Sequence, residues 1–180
     1  MILNLHLTDE QAESLRTLLE SSRSGPPEPD ENGHVTLTDA DFDASGLYRW
    51  GDSIKVERRL VVDVARWVRF SGSVEAGWGI EAGWGIEAGG GIEAGWGIEA
   101  GWGIEAGWGI KAGEGIKAGE GIKAGEGIKA GEGYGLFAGV AVYIKSPAKT
   151  ITCKHHDGGE LRYGDLVLIE GGQDDDEEPF

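Results

Sequence analysis

The sequence predicts a mainly β fold, a triangular β-solenoid (hexapeptide β-helix) of about three hexads per coil, with a small N-terminal α/β cap and a C-terminal strand cap. Residues 74–133 are ten near-identical hexapeptides, Val/Ile-Glu/Lys-Ala-Gly-Trp/Glu/Gly-Gly. Their first three positions alternate apolar, charged, apolar, the two-residue period of a strand that puts Ile and Ala on one face. Two glycines then close each unit, as a repeated corner requires. Glycine, 33 of 180 residues, follows this six-residue period; the five prolines are too few for collagen.

Three units per coil, 18 residues, are consistent with the order of the copies. Six hexads with Glu at the second position precede four with Lys, so the chemistry changes on a multiple of three. The small Ala beside each large aliphatic suits a narrow interior. The order large, small, Gly differs from that of left-handed acyltransferase-type helices, so a right-handed triangular helix like that of bactofilins stays open.

The fifth position points outward. It is Trp at 78, 84, 96, 102 and 108, Gly at 90, and Glu at 114, 120, 126 and 132. Four unpaired carboxylates in equivalent interior places would each cost several kcal/mol. With 18 residues per coil, Trp78 lies under Trp96 and Trp84 under Trp102, about 4.8 Å apart by strand spacing, and Trp108 lies above Gly90. The candidate binding surface is therefore Trp78, Trp84, Trp96, Trp102 and Trp108 in one half, and Glu114, Glu120, Glu126 and Glu132 in the other. The second position runs Glu75, Glu81, Glu87, Glu93, Glu99, Glu105, then Lys111, Lys117, Lys123, Lys129. Stacked Glu residues repel, and Lys111 above Glu93 relieves the repulsion. Each such exposed pair contributes about 0–1 kcal/mol.

The regions divide as an N-terminal strand–helix region with an acidic linker (1–53), the solenoid (54–145), a C-terminal strand or hairpin cap (146–172) and an acidic, disordered tail (173–180). A short strand fits residues 1–7. Thr8 and Gln11 have capping-box spacing ahead of a helical pattern over 9–22, ended by Ser24-Gly25-Pro26-Pro27-Glu28-Pro29-Asp30. The pairs Val62-x-Val64, Val68-x-Phe70 and Val74-x-Ala76 share the hexad phase, as do Tyr134-x-Leu136 and Val140-x-Val142. Larger residues there suit terminal coils that close the core. After Pro147 the phase is lost, and Thr150–Lys154 and Leu161–Ile169 flank Asp157-Gly158-Gly159, a hairpin signal.

The formal charge is −16. Such a field repels nucleic acid and anionic membrane and favours a basic protein partner. One cysteine, Cys153, allows no intrachain disulfide and fits a reducing compartment. The first residues lack the basic region of a signal peptide and no stretch reaches the ~20 apolar residues of a membrane span, so the expected setting is cytoplasmic.

Chemistry-bearing motifs are sparse. The ten hexads contain no His, Ser, Thr or Cys, so the repeat body carries no acyltransferase-like centre. Cys153-x-His155-His156-Asp157 matches no standard zinc spacing and reads as a polar turn. Asp39-x-Asp41-x-Asp43 begins like a calcium loop, but Ala44 and Trp50 stand where Gly and Glu are needed. Arg58, Arg59, Arg66 and Arg69 form the one basic cluster, expected to pair with the acidic N-terminal segment. No enzyme, cofactor or metal is expected.

The run Gly-Ile-Glu-Ala-Gly-Trp-Gly-Ile-Lys-Ala-Gly-Glu, followed by Leu136-Phe137-Ala138-Gly139-Val140 and Thr150-Ile151-Thr152-Cys153-Lys154, resembles small bacteriophage and prophage proteins with G-I-[EK]-A-G-[WEG] runs. The resemblance covers roughly 70–169. It implies a phage or bacterial cytoplasmic setting; that family has no settled activity, so no functional residue is carried over. Three functions from different classes fit. One is a non-enzymatic acidic solenoid that binds another protein, such as a DNA-mimic-like phage inhibitor of a host defence or DNA-handling protein. The second is a self-associating structural solenoid, with a homodimer as its closed form. The third is an aromatic-ladder binder of carbohydrate or nucleotide.

Overall fold

The computed structural model describes residues 8, 25–131, 134–138, 150–153, 155–157 and 160–169. The strand expected in 1–7, the helix over 9–22, Val140-x-Val142, Glu132 and the acidic tail lie outside them.

The repeat forms three-residue strands at every hexad. After β1 (Val35–Leu37) come β2 (Ile54–Val56), β3 (Leu60–Val62) and β4 (Val68–Phe70). The hexads supply β5 (Val74–Ala76), β6 (Ile80–Ala82), β7 (Ile86–Ala88), β8 (Ile92–Ala94) and β9 (Ile98–Ala100). They continue with β10 (Ile104–Ala106), β11 (Ile110–Ala112), β12 (Ile116–Ala118), β13 (Ile122–Ala124) and β14 (Gly127–Lys129). Then follow β15 (Gly135–Ala138), β16 (Thr150–Cys153), β17 (His155–Asp157), β18 (Glu160–Tyr163) and β19 (Asp165–Leu168).

These strands stack into three sheets, the walls of a triangular solenoid. The first runs β1-β3-β6-β9-β12-β15-β18, the second β4-β7-β10-β13-β16-β19, and the third β2-β5-β8-β11-β14-β17. Every pair is parallel. Within the hexads each residue lies opposite the one 18 positions away, as in Ile80↔Ile98↔Ile116. The first and third hexad residues are buried and the second faces out. Each buried Ile contributes about 1.5–3 kcal/mol, and no hexad Ala is more than 6% exposed.

The fourth-position glycines are required by the stacking itself. A Cβ on Gly95 would lie 2.0 Å from the Gly77 carbonyl oxygen, and one on Gly107 would lie 2.1 Å from that of Gly89. No glycine within residues 74–131 has a positive φ, so close approach of adjacent coils, not a left-handed corner, selects Gly here. The sixth-position glycines are less confined: a Cβ on Gly97 would meet the Gly115 carbonyl oxygen at 3.3 Å.

Two sequence expectations change at the ends. The inward pair of the second coil is Leu60-x-Val62, facing Ile80 and Ala82, instead of Val62-x-Val64. Leu136-x-Ala138 likewise replaces Tyr134-x-Leu136, with Tyr134 exposed. The corner after β3 holds five residues, Asp63–Trp67, where hexad corners hold three. A two-residue shift preserves inward–outward alternation, so hexad phase alone cannot detect it. The hairpin expected around Asp157–Gly159 is not formed: β16, β17, β18 and β19 extend the three sheets in parallel, with β16 paired to β19.

The N-terminal end is closed by aromatic packing. Phe70 takes a place above Ala88, and Phe42, Tyr48 and Phe70 pack with ring centroids 5.0–5.9 Å apart. Leu47 bridges to Arg69, so the chain covers the edge of the second sheet, and β1 covers the first. A 3-10 turn at Asp39–Asp41 connects them.

The two glycine positions differ in a measurable way. Gly95→Ala is expected to cost about 3 kcal/mol by overpacking, whereas Gly97→Ala is expected to be close to neutral. Urea unfolding of the two variants checks the ranking.

Candidate interaction surface

The corners carry the side chains that the sequence singles out. Stacking places them in three lines along the solenoid edges. Between the third and first sheets run Arg58, Trp78, Trp96 and Glu114, linked by the backbone hydrogen bonds Trp78 N–H to Arg58 O, Trp96 N–H to Trp78 O and Glu114 N–H to Trp96 O. Between the first and second run Trp84, Trp102 and Glu120. Between the second and third run Gly72, Gly90, Trp108 and Glu126. The candidate residues thus form three separate lines, and no single site gathers them all.

The expected aromatic pairs form. Trp78 and Trp96 stack at 4.9 Å with planes 6° apart, and Trp84 and Trp102 at 4.7 Å with planes 12° apart. Each such pair contributes about 0.5–1.5 kcal/mol beyond area burial. Trp78 has a second partner on its other face, the Arg58 guanidinium 4.7 Å from the ring centroid. His34 meets it edge-on at 5.6 Å, and the His34 Nδ1 accepts the Arg59 N–H. Trp78, Trp84 and Trp102 are half-buried; Trp96 is 49% and Trp108 66% exposed. Glu114 and Glu120 are half-buried and Glu126 is exposed.

Trp108 stands apart because Gly90 lies beneath it. A Cβ at 90 would meet the Ser73 Oγ at 2.4 Å and the Gly72 backbone at 3.0 Å. The Ser71-Gly72-Ser73 corner therefore fixes the one Trp-less hexad in this half.

The sheet faces arrange charge in brackets. On the third sheet Lys55, Glu75, Glu93 and Lys111 stand in register; Lys55 bonds Glu75 at 2.5 Å and Lys111 bonds Glu93 at 2.6 Å. On the first, Arg59 bonds Glu81 at 3.3 Å and Lys117 bonds Glu99 at 2.5 Å. On the second, Arg69, Glu87, Glu105 and Lys123 follow the same register. The Glu pairs of the second and third sheets thus have a base in register on either side, whereas on the first Val61 stands in register with Glu81 and Arg59 reaches it from the preceding corner. The net charge is correspondingly segregated. Residues 49–169 carry 16 acids and 14 bases, while 1–48 carry ten acids and two bases, and 170–180 six acids and none. The span 49–169 is therefore nearly balanced, and the acidic excess lies before and after it in the sequence.

The remaining motifs are dispersed. Among the described residues the side chain of the arginine cluster that forms an ion pair with the N-terminal segment is Arg66, which bonds Asp39 at 3.0 Å and the Asp43 carbonyl oxygen. Asp41 is buried, accepting from the Thr38 N–H and from the Trp50 indole N–H. The Asp43 carboxylate accepts from the Ser45 hydroxyl and the Leu47 N–H, which hold it below the usual carboxylate range. Cys153 is buried on the second sheet, whereas His155–Asp157 build the third. His156 stands in register with Ile128, its Nε2 buried with no hydrogen-bond partner. Among the described residues no three His, Cys, Asp or Glu side chains gather as metal ligands, and no helix is long and apolar enough to cross a membrane.

Sequence reasoning missed Trp67. Its five-membered-ring fusion atoms and benzo edge lie against Gly85, where an added Cβ would come within 2.4–2.6 Å, and its far edge reaches Gly103. The five-residue corner puts it at the sixth position, and no repeat signal marks it.

Comparison with protein-family models, with curated proteins and with solved structures finds no match.

Two outcomes follow from this geometry. Lys111→Glu places three carboxylates in one row and is expected to destabilise by up to about 1 kcal/mol at low salt, the loss shrinking in 1 M salt; urea unfolding at both ionic strengths measures it. Burial pushes the Cys153 thiol up, so the native thiol is expected to react slowly with a disulfide reagent and rapidly after unfolding. Because the folded state keeps the proton, this group's contribution is present below the unfolded cysteine range and declines as pH rises through it.

Proposed function

We propose that the chain is a non-enzymatic binding protein, a rigid rod that docks another protein on its tryptophan-bearing corners. The observation that carries this reading is the exposure of Trp96 and Trp108 on a scaffold that holds them in place by backbone ladders. Tryptophan is favoured at binding hot spots, and a side chain fixed before binding loses little entropy on docking. The segregation of charge supports a basic partner, drawn by the acidic segments at either end of the sequence while the near-neutral rod makes the contact. The resemblance to phage and prophage proteins sets this partner in a bacterial cytoplasm, where a host defence or DNA-handling protein is the fitting target. On this reading the carboxylates attract, and the mimicry of DNA is long-range; the paired Glu rows of the faces are part of the scaffold.

The stacked rings argue for protein over sugar. In each Trp pair the facing ring surfaces cover one another, so the ladder offers few open ring faces for a glycan or base.

Affinity capture from bacterial lysate, followed by titration of the purified partner, tests the proposal. Trp96→Ala and Trp108→Ala together are expected to weaken binding at least about tenfold, while Glu87→Gln leaves it unchanged. Neutralising Asp174, Asp175, Asp176, Glu177 and Glu178 is expected to slow association and flatten its salt dependence. A partner bound equally well by the double tryptophan variant would falsify the reading.

A further inference from the structure

The three walls of the solenoid each have a glycine-floored groove at the corner that leads into the strand. On the second sheet the floor is Gly85, Gly103 and Gly121; on the third it is Gly91, Gly109 and Gly127; on the first it is Gly79, Gly97 and Gly115. The residue that heads each groove comes from the preceding coil, and it differs. Trp67 heads the second-sheet groove and lies along its floor, with ring atoms where the Cβ atoms of Gly85 and Gly103 would be. Arg59 heads the first-sheet groove, where its guanidinium pairs with Glu81. Ser73 heads the third, and its short side chain only accepts the Gly91 N–H at 3.2 Å. The third-sheet groove is consequently the roomier of the two that Trp67 does not fill, a cleft of about 450 Å³ against about 310 Å³ on the first sheet, bordered by Trp108 on one bank and the Glu93–Lys111 ion pair on the other.

We infer that the third-sheet groove is a receptor for one aromatic side chain of the docked protein, which lies on Gly91 and Gly109 as Trp67 lies on Gly85 and Gly103. The pseudo-threefold symmetry of the fold makes the chain its own demonstration that this floor accepts an indole. Bare glycine lets a flat ring approach the backbone, which no other residue permits. Trp108, the least covered of the described large hydrophobic side chains, adds an aromatic wall suited to edge-to-face contact. The Glu93–Lys111 pair on the opposite bank offers an acceptor and a donor to the polar edge of an indole or phenol. The inference rests on the protein-binding reading and specifies the partner's anchor.

N-acetyl-tryptophanamide serves as the probe. Titrated into the labelled full chain, it is expected to shift the amide resonances of Gly91 and Gly109 in a saturable way, leaving those of Gly85 and Gly103 unmoved. Ser73→Trp copies the second-sheet arrangement and is expected to abolish the shifts while the thermal midpoint holds. In Trp67→Ala the second-sheet groove opens, and saturable shifts are expected at Gly85 and Gly103 as well. Absence of saturable shifts at Gly91 and Gly109 in the unsubstituted chain overturns the inference. So does their persistence in a folded Ser73→Trp variant. The protein-binding reading is tested separately by the purified partner: if Trp96→Ala weakens it and Ser73→Trp does not, partner docking stands and the aromatic receptor is wrong. If Ser73→Trp weakens the partner about tenfold or more, the groove is the anchor site.

Discussion

Every hexad residue sits one strand spacing from its counterpart 18 positions away, because three parallel sheets share a single vertical register. That repeat distance is the constraint from which the rest of the molecule follows. It brings the Gly95 α-carbon so near the Gly77 carbonyl that a methyl group has no room. It also forces like to stack on like. For an aliphatic or an aromatic side chain this is favourable: Ile rows make the core, and Trp rows make parallel pairs at 4.7 and 4.9 Å. For a carboxylate row the same geometry is repulsive, so a strict repeat is stable only where its sign changes.

The positions of those sign changes explain why the ten hexads are not identical. No described face has more than two Glu in succession at the second position; bases stand in register at both ends of the pairs on the second and third sheets, and on the first Lys117 stands in register while Arg59 reaches Glu81 from the preceding corner. Ion pairs this exposed contribute little individually. Their service is to remove repulsion from a stack that must be in register for the core to close. The fifth position behaves differently: Trp gives way to Glu at 114, 120 and 126, and these residues stand on separate corners. The tryptophans are therefore confined to one end of the rod.

The central architecture was legible because the repeat states it many times over. Alternation in Ile-Glu-Ala assigned the inward face, the carboxylates at position five excluded the tryptophans from the interior, and the 18-residue coil placed Trp78 beside Trp96 before any coordinates. What escaped was set by contacts that sequence spacing does not encode. The two extra residues before Trp67 shift the phase without altering the alternation, so Val62 is inward under either reading. Asp157-Gly158-Gly159 looks like a hairpin because turn residues report a local bend, while the parallel partners of β17 and β18 lie a coil away. The fourth-position glycine, expected for the corner itself, is in fact required by a collision avoided between coils. The groove on the third sheet was invisible for the same reason, since its openness depends on Ser73 being short where Trp67 is long.

If the chain docks a basic protein as proposed, its scaffold separates two tasks that most binding surfaces combine. Carboxylates spread along the faces would attract a basic partner, but docking would then require stripping water from charges already engaged with Lys and Arg. Here 16 of the 32 acidic residues lie in the rod, almost balanced by 14 bases, and the other 16 flank it in the sequence with only two bases. Attraction from the flanking charge acts over about a Debye length, ~8 Å at physiological salt, and requires no fixed geometry. Contact requires geometry and gains most from apolar surface. In the proposed docking, Trp96, Trp108 and the glycine floors would supply most of it from uncharged surface. On the proposed reading, the segregation of charge along the sequence is a division between steering and docking.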